Sequence, residues 1–96
     1  MLFEWDEKKN NANIERHGIS FELAQKIFDG FTVTQIDNRQ NYGEIREISL
    51  GVVESLAVIV VVHTDRDGTC RIISARQANK REREIYEQKI RTSIDT

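Results

Sequence analysis

The sequence predicts an α+β fold. An antiparallel sheet of about four to five strands is preceded by two helices and followed by one. Three observations carry this. Capping signals and apolar spacing are helical from Asp6 to Gly30. From Phe31 to Arg76 the pattern turns to strands separated by short polar turns. From Ala78 the spacing becomes helical again. Strands joined by short turns pair antiparallel, and the helices are expected against one face of the meander.

Each element has a local cause. Phe3-Glu4-Trp5 is a short first strand. Asp6 is an N-cap, and a helix runs through Lys9, Ala12, Asn13 and Arg16 to a stop at Gly18. Ser20 caps a second helix whose apolar stripe is Phe21, Ala24, Ile27 and Phe28, ended by Asp29-Gly30. Phe31 to Asp37 alternates as a strand rich in Thr and Val. Residues 38–43 form a polar loop. Arg46, Ile48, Leu50 and Val52 then share one face of a strand. Leu56 to Thr64 is a continuous apolar run, the mark of a central strand covered on both faces. Asp67-Gly68 is a hairpin turn, and Cys70 to Arg76 is the last strand. The closing helix runs from Ala78 to Ile90, with Ala78, Ile85, Tyr86 and Ile90 available for packing.

Composition narrows the class. The 96 residues make a single domain, 1–96, with room for one modest core. A hydrophobic content of 39% against 31% charged residues is that of a globular chain and too apolar for disorder. The one cysteine, Cys70, excludes an internal disulfide and fits a reducing compartment. Met1 to Glu7 carries acid where an export signal carries base, and Leu56 to Val62 is too short to span a membrane. The expected location is the cytoplasm. There is no glycine-rich phosphate loop, HExxH, CxxC or GxSxG motif, so no cofactor and no metal site is expected.

The net charge is −2, which argues against a general nucleic-acid binder. Its distribution argues otherwise. Arg66, Arg71, Arg76, Lys80, Arg81 and Arg83 face only Asp65, Asp67 and Glu82 over one stretch. Such a local basic face on an acidic body steers a polyanion to one place. Arg76, where an apolar strand hands over to a helix, offers a planar fork suited to a phosphate.

Cutting RNA without a metal needs a base for the 2′-hydroxyl, an acid for the leaving 5′-oxygen and a fixed cation for the charge at phosphorus. His17 is an acid or base by its ordinary pKa, or a cationic cap on the helix C-terminus. His63, in the central strand, reads as a satisfied core histidine. Arg46 lies on an apolar strand face and wants an anion: a substrate phosphate, Glu44 or Glu4. Arg66 sits at the hairpin mouth. Simple alternation puts Arg71 and Arg76 on opposite faces of their strand. Tyr86 is a core aromatic or a platform for a base. The run from Lys80 to Glu84 is a solvated helix face with internal pairs.

Taken together, these blocks resemble the BrnT toxins. Phe3-Glu4-Trp5-Asp6, Lys8 or Lys9, Asn13, Arg16-His17-Gly18-Ile19-Ser20-Phe21 and Ala24 are similar to that family's opening. Glu44-x-Arg46 with Gly51 also fits. So does Arg71-Ile72-Ile73-Ser74-Ala75-Arg76-x-Ala78 with Glu82-Arg83 and Tyr86.

The resemblance implies a RelE-like fold and an endoribonuclease toxin of a type II toxin–antitoxin pair. It implies a BrnA-like ribbon-helix-helix antitoxin as partner, a hetero-oligomer with it, and promoter DNA reached only through it. Carried onto this chain, the active cleft would hold Arg76, Arg66, Arg46, His17 and Tyr86. Arg76 and Arg66 would stabilise the pentavalent phosphate, and His17 or Tyr86 would handle protons. Lys8, Arg71, Lys80, Arg81 and Arg83 would contact RNA. The competing reading is a non-enzymatic module, or inactive toxin, whose basic face binds an antitoxin and contributes to autorepression.

Overall fold

The computed structural model describes residues 1–54 and 57–94. The chain runs β1 (Leu2–Glu4), α1 (Glu7–His17), α2 (Phe21–Ala24, continued by a 3₁₀ segment Gln25–Asp29), β2 (Val33–Ile36), β3 (Glu47–Val53), β4 (Ala57–Arg66), β5 (Thr69–Gln77) and α3 (Lys80–Ile94). The expected start of the central strand at Leu56 lies outside the described residues.

The local signals act as their chemistry dictates. The Asp6 carboxylate accepts from the Lys8 and Lys9 amides at 2.8 and 3.3 Å, and these bonds lower its pKa. Gly18 ends α1 with φ 71°, and its N–H donates to the Ile14 carbonyl. The Ser20 hydroxyl accepts from the Leu23 amide. Asp67 (φ 53°) and Gly68 (φ 86°) make the two-residue turn between β4 and β5.

The strands form one sheet in the order β1-β5-β4-β3-β2. Pairing is antiparallel from β2 through β5, but β1 joins β5 in parallel. The sheet is therefore mixed rather than purely antiparallel. The long connection from β1 through the helices allows a parallel return, which a hairpin does not.

Helices cover both faces of the sheet, where one face was expected. Phe21, Ala24 and Ile27 pack with Val53, Ile59, Val61, Ile72 and Ala75 on one side. Ala78 and Tyr86 pack with Leu50 and Val60 on the other. Alternate residues of β4 feed the two clusters, which is why its sequence is apolar throughout. Burying each large side chain contributes about 1.5–3 kcal/mol.

Gly51 lets the 3₁₀ segment come close to the sheet. A Cβ at this position would lie 2.5 Å from the Ile27 Cβ. α1 is held differently, because its buried residues are polar. The Asn10 side chain accepts from the Phe21 amide, and the Asn13 amide group donates to the Ile19 and Ala75 carbonyls.

Candidate nucleic-acid interface

A bulge in β5 decides which arginines share a face. Val62 pairs with Ser74 and His63 with Ile72, leaving Ile73 without a partner in register. Ile72 and Ala75 consequently both face α1 and α2. Arg71, opposite Thr64, and Arg76, opposite Val60, fall together on the α3 side. This corrects the expectation of opposite faces, which assumed unbroken alternation. Arg46, two residues before Ile48, joins them on that side. α3 covers Leu50 and Val60 there. Between α3 and the strands lies a cleft of about 100 Å³, with Gln35, Ile48, Arg76 and Glu82 in its wall.

Arg76 is held by a carboxylate of its own chain. Its Nη1 and Nη2 donate to Glu82 Oε1 and Oε2, both at 2.8 Å. Glu82 Oε1 also accepts from the Asn79 amide, while Asn79 Oδ1 accepts from the Glu82 amide. This reciprocal pair caps α3 and fixes the carboxylate that faces Arg76. The shared hydrogen bonds raise the Arg76 pKa and lower that of Glu82. The nearby positive charge of Arg39 opposes the rise at Arg76.

The segment after β2 carries a second polar cluster. The Asp37 side chain has no solvent exposure. It accepts from Arg39 Nε and Nη2, both at 2.8 Å, from the Arg39 amide at 3.1 Å, and from the Tyr42 hydroxyl at 2.9 Å. The Arg39 bonds, led by its guanidinium, hold the Asp37 carboxyl well below the usual range. The Asp37 amide donates to the Arg46 carbonyl. The Arg46 guanidinium carbon lies 3.9 Å from the Tyr42 ring centroid, a cation–π stack.

The arginines differ in their partners. Arg66 contacts Glu44 at 3.3 Å, and Arg71 contacts Glu4 at 2.8 Å. Arg46 has no carboxylate within 4 Å among the described residues, and its buried Nε has no acceptor.

Other expected positions lie elsewhere. His17 is exposed at the end of α1, two residues before Ile19, which packs into the cluster on the side of the sheet away from α3. Tyr86 is buried, and its hydroxyl donates to the Phe31 carbonyl at 2.8 Å. Burial raises its pKa. Its ring meets Phe31 edge-on, so it pins α3 to the sheet. Lys8 is exposed on α1, while Lys80, Arg81 and Arg83 are exposed on α3. Arg83 donates to the Ala78 carbonyl. His63 is a core histidine, with its Nε2 2.7 Å from the Ser49 hydroxyl.

Sequence reasoning missed Asp37, Arg39, Tyr42 and Glu82 as members of this face. The Asn79-x-x-Glu82 capping spacing was a readable signal for Glu82. Asp37-x-Arg39 followed by Tyr42 carried no signal beyond that of a polar loop.

A model of the family described as ribonuclease toxin, BrnT, of type II toxin–antitoxin systems matches residues 5–82. The chain belongs to the BrnT family. The match spans Lys8, Arg46, Arg66, Arg71, Arg76, Lys80, Arg81 and Glu82 and ends before Arg83 and Tyr86. A BrnT ribonuclease toxin from Brucella abortus, known from a 1.1 Å crystal structure, is similar in fold. It is 24% identical with a TM-score of 0.64, and the alignment covers 83% of this chain and 100% of that one. No curated protein matches the sequence. As a BrnT family member, the chain is a ribonuclease toxin of a type II toxin–antitoxin system, and that membership brings an antitoxin partner. No described helix is long and apolar enough to cross a membrane.

Proposed function

We propose that this chain is a metal-independent endoribonuclease that inhibits translation by cutting RNA on the arginine face beside α3. The observation that carries this is Arg46. It alone among Arg46, Arg66, Arg71 and Arg76 has no carboxylate partner among the described residues, and a guanidinium on a partly apolar face favours an anion.

In this reading an RNA phosphate sits against Arg46, and Arg76 turns from Glu82 to the same phosphate. The 2′-hydroxyl gives its proton to solvent water as its oxygen attacks phosphorus, the bond from phosphorus to the 5′-oxygen breaks, that oxygen takes a proton from water, and a 2′,3′-cyclic phosphate remains. The guanidinium groups stabilise the charge that builds on the phosphoryl oxygens. Arg66 and Arg71 exchange Glu44 and Glu4 for neighbouring phosphates, while Lys80, Arg81 and Arg83 extend the track along α3. Lys8 would touch only RNA that wraps round the sheet. His17, on the far side, and Tyr86, with its hydroxyl engaged, are given no proton-transfer role.

The antitoxin is proposed to be BrnA-like, with a ribbon-helix-helix domain, and the two to form a hetero-oligomer in the cytoplasm. Promoter DNA is reached only through that partner.

One observation favours the second reading, a non-enzymatic antitoxin-binding module. Arg66, Arg71 and Arg76 already wear carboxylates of their own chain. Inducible expression separates the two, with growth and RNA integrity followed for the wild type, Arg46→Ala and Arg76→Ala. Growth arrest with cleaved RNA, lost in both variants and unaffected by EDTA in the purified reaction, supports the ribonuclease. Arrest that survives both substitutions sinks the arginine site. Healthy growth from folded wild-type protein favours the binding module.

A further inference from the structure

We propose that Tyr42 is the positioning residue for Arg46, fixed in turn by the buried carboxylate of Asp37; this rests on the ribonuclease reading above. Three contacts close a ring. The Asp37 amide donates to the Arg46 carbonyl at 2.8 Å, the Tyr42 hydroxyl donates to Asp37 Oδ2 at 2.9 Å, and the Tyr42 ring lies 3.9 Å from the Arg46 guanidinium carbon. Backbone and side chain of Asp37 thus hold the two ends of one stacked pair.

The stack does what an ion pair cannot. A carboxylate would orient the guanidinium but also occupy its donors, as Glu82 does at Arg76. An aromatic face restrains the guanidinium plane and leaves the in-plane N–H groups for a phosphate. Arg46 has such restraint and no carboxylate among the described residues, and its Nε is a buried donor without an acceptor. Buried donors are almost always satisfied, so this orphan marks Arg46 as a guanidinium with bonding capacity left unused. Arg39 closes the rest of Asp37, keeping that carboxylate from turning to Arg46.

The test is a double-mutant cycle of Tyr42→Leu and Arg46→Ala in the purified full chain. One readout is kcat for a defined oligoribonucleotide. The other is fluorescence-anisotropy affinity for its uncleavable 2′-O-methyl analogue. With Arg46 present, Tyr42→Leu is expected to lower kcat about tenfold or more, because a misplaced catalytic group is costly. In the Arg46→Ala background the same change is expected to cost less than about twofold, since only coupled residues depart from additivity. Tyr42→Phe keeps the ring and loses the Asp37 bond, so its kcat should fall between those of the wild type and Tyr42→Leu, with the loss again coupled to Arg46. If Tyr42→Leu does not fold, Tyr42→Phe and Asp37→Asn replace it in the cycle.

Equal losses in both backgrounds overturn the proposal. So does a rise in KM alone, independent of Arg46, which would make Tyr42 a platform for a base. If the wild type binds the analogue with Tyr42 and Arg46 coupled but cleaves no RNA, positioning stands and the ribonuclease reading falls. If it neither cleaves nor binds, both fall.

Discussion

The Asn13 side chain hydrogen bonds both main-chain groups of Ala75, its Nδ2 donating to the carbonyl at 2.8 Å and its Oδ1 accepting from the amide at 3.1 Å. A neighbouring strand would supply the same two bonds. β1 pairs only with residues Thr69 to Arg71, so beyond it α1 covers the edge of β5 with an amide side chain. Ala75 directly precedes Arg76, and this contact therefore anchors the strand that presents the Arg76 fork.

Asn13→Ala leaves the Ala75 amide and carbonyl without these partners in a buried setting and removes the bond to Ile19. Each unmet buried group costs about 1–3 kcal/mol, so a loss of roughly 2–4 kcal/mol is expected. Urea unfolding measures it directly. A change below about 0.5 kcal/mol would mean that the edge of β5 finds other partners.

Gly51→Ala drives a methyl into the Ile27 side chain. The resulting shift of the 3₁₀ segment should cost about 1–3 kcal/mol, the usual range for overpacking. The midpoint of thermal or chemical unfolding reports it. Unchanged stability would show that Ile27 yields at no cost.

Acid should weaken the fold through Glu82 and Asp37. Both have pKa values lowered by hydrogen bonds, led by the Arg76 side chain for Glu82 and the Arg39 side chain for Asp37. A depressed carboxylate contributes its full stability above its unfolded pKa and loses it as pH falls through the folded one. The loss should thus begin below the ordinary values of 4.5 and 3.8 and extend into strong acid. Glu82→Gln and Asp37→Asn should each flatten the curve of unfolding free energy against pH in that window. An unchanged slope in both variants would refute the linkage.

His63 titrates in the opposite setting. Burial lowers its pKa from 6.5, with Glu47 opposing, so the folded chain keeps the ring neutral. The stability this contributes is complete above pH 6.5 and falls as pH drops toward the folded value. An NMR titration should place the His63 midpoint below 6.5. His63→Gln should remove that part of the pH dependence while costing stability at neutral pH, where the bond to Ser49 is lost. A midpoint above 6.5 would contradict the neutral core ring.

Much of the fold was legible because its signals are local. Asp6, Ser20 and Gly18 act within a single turn, and Asp67-Gly68 sets a two-residue hairpin by its backbone preferences alone. The alternation of Ile48 and Leu50 named the face on which Arg46 stands. The basic stretch and the family blocks pointed to RNA and to the BrnT toxins before any pairing was known.

The face itself was less legible. Arg71 and Arg76 were separated by alternation, and only the pairing of Val62 with Ser74 and His63 with Ile72 reunites them. A bulge adds a residue to one strand without marking it by composition. Tyr86 reads as a core aromatic or a platform for a base, but no local signal shows that its hydroxyl meets a carbonyl 55 residues away in sequence.

By itself, then, the sequence determined the kind and order of the elements, the basic character of the C-terminal half of the sheet and the family. These depend on neighbours within a few residues, or on motifs whose order alone carries the information. The tertiary structure decided that α3 covers the face opposite α2, that Arg76 is clasped by Glu82, and that Asp37 joins Tyr42 to Arg46. These depend on which surfaces bury one another and on where a single unpaired residue, Ile73, turns a strand over.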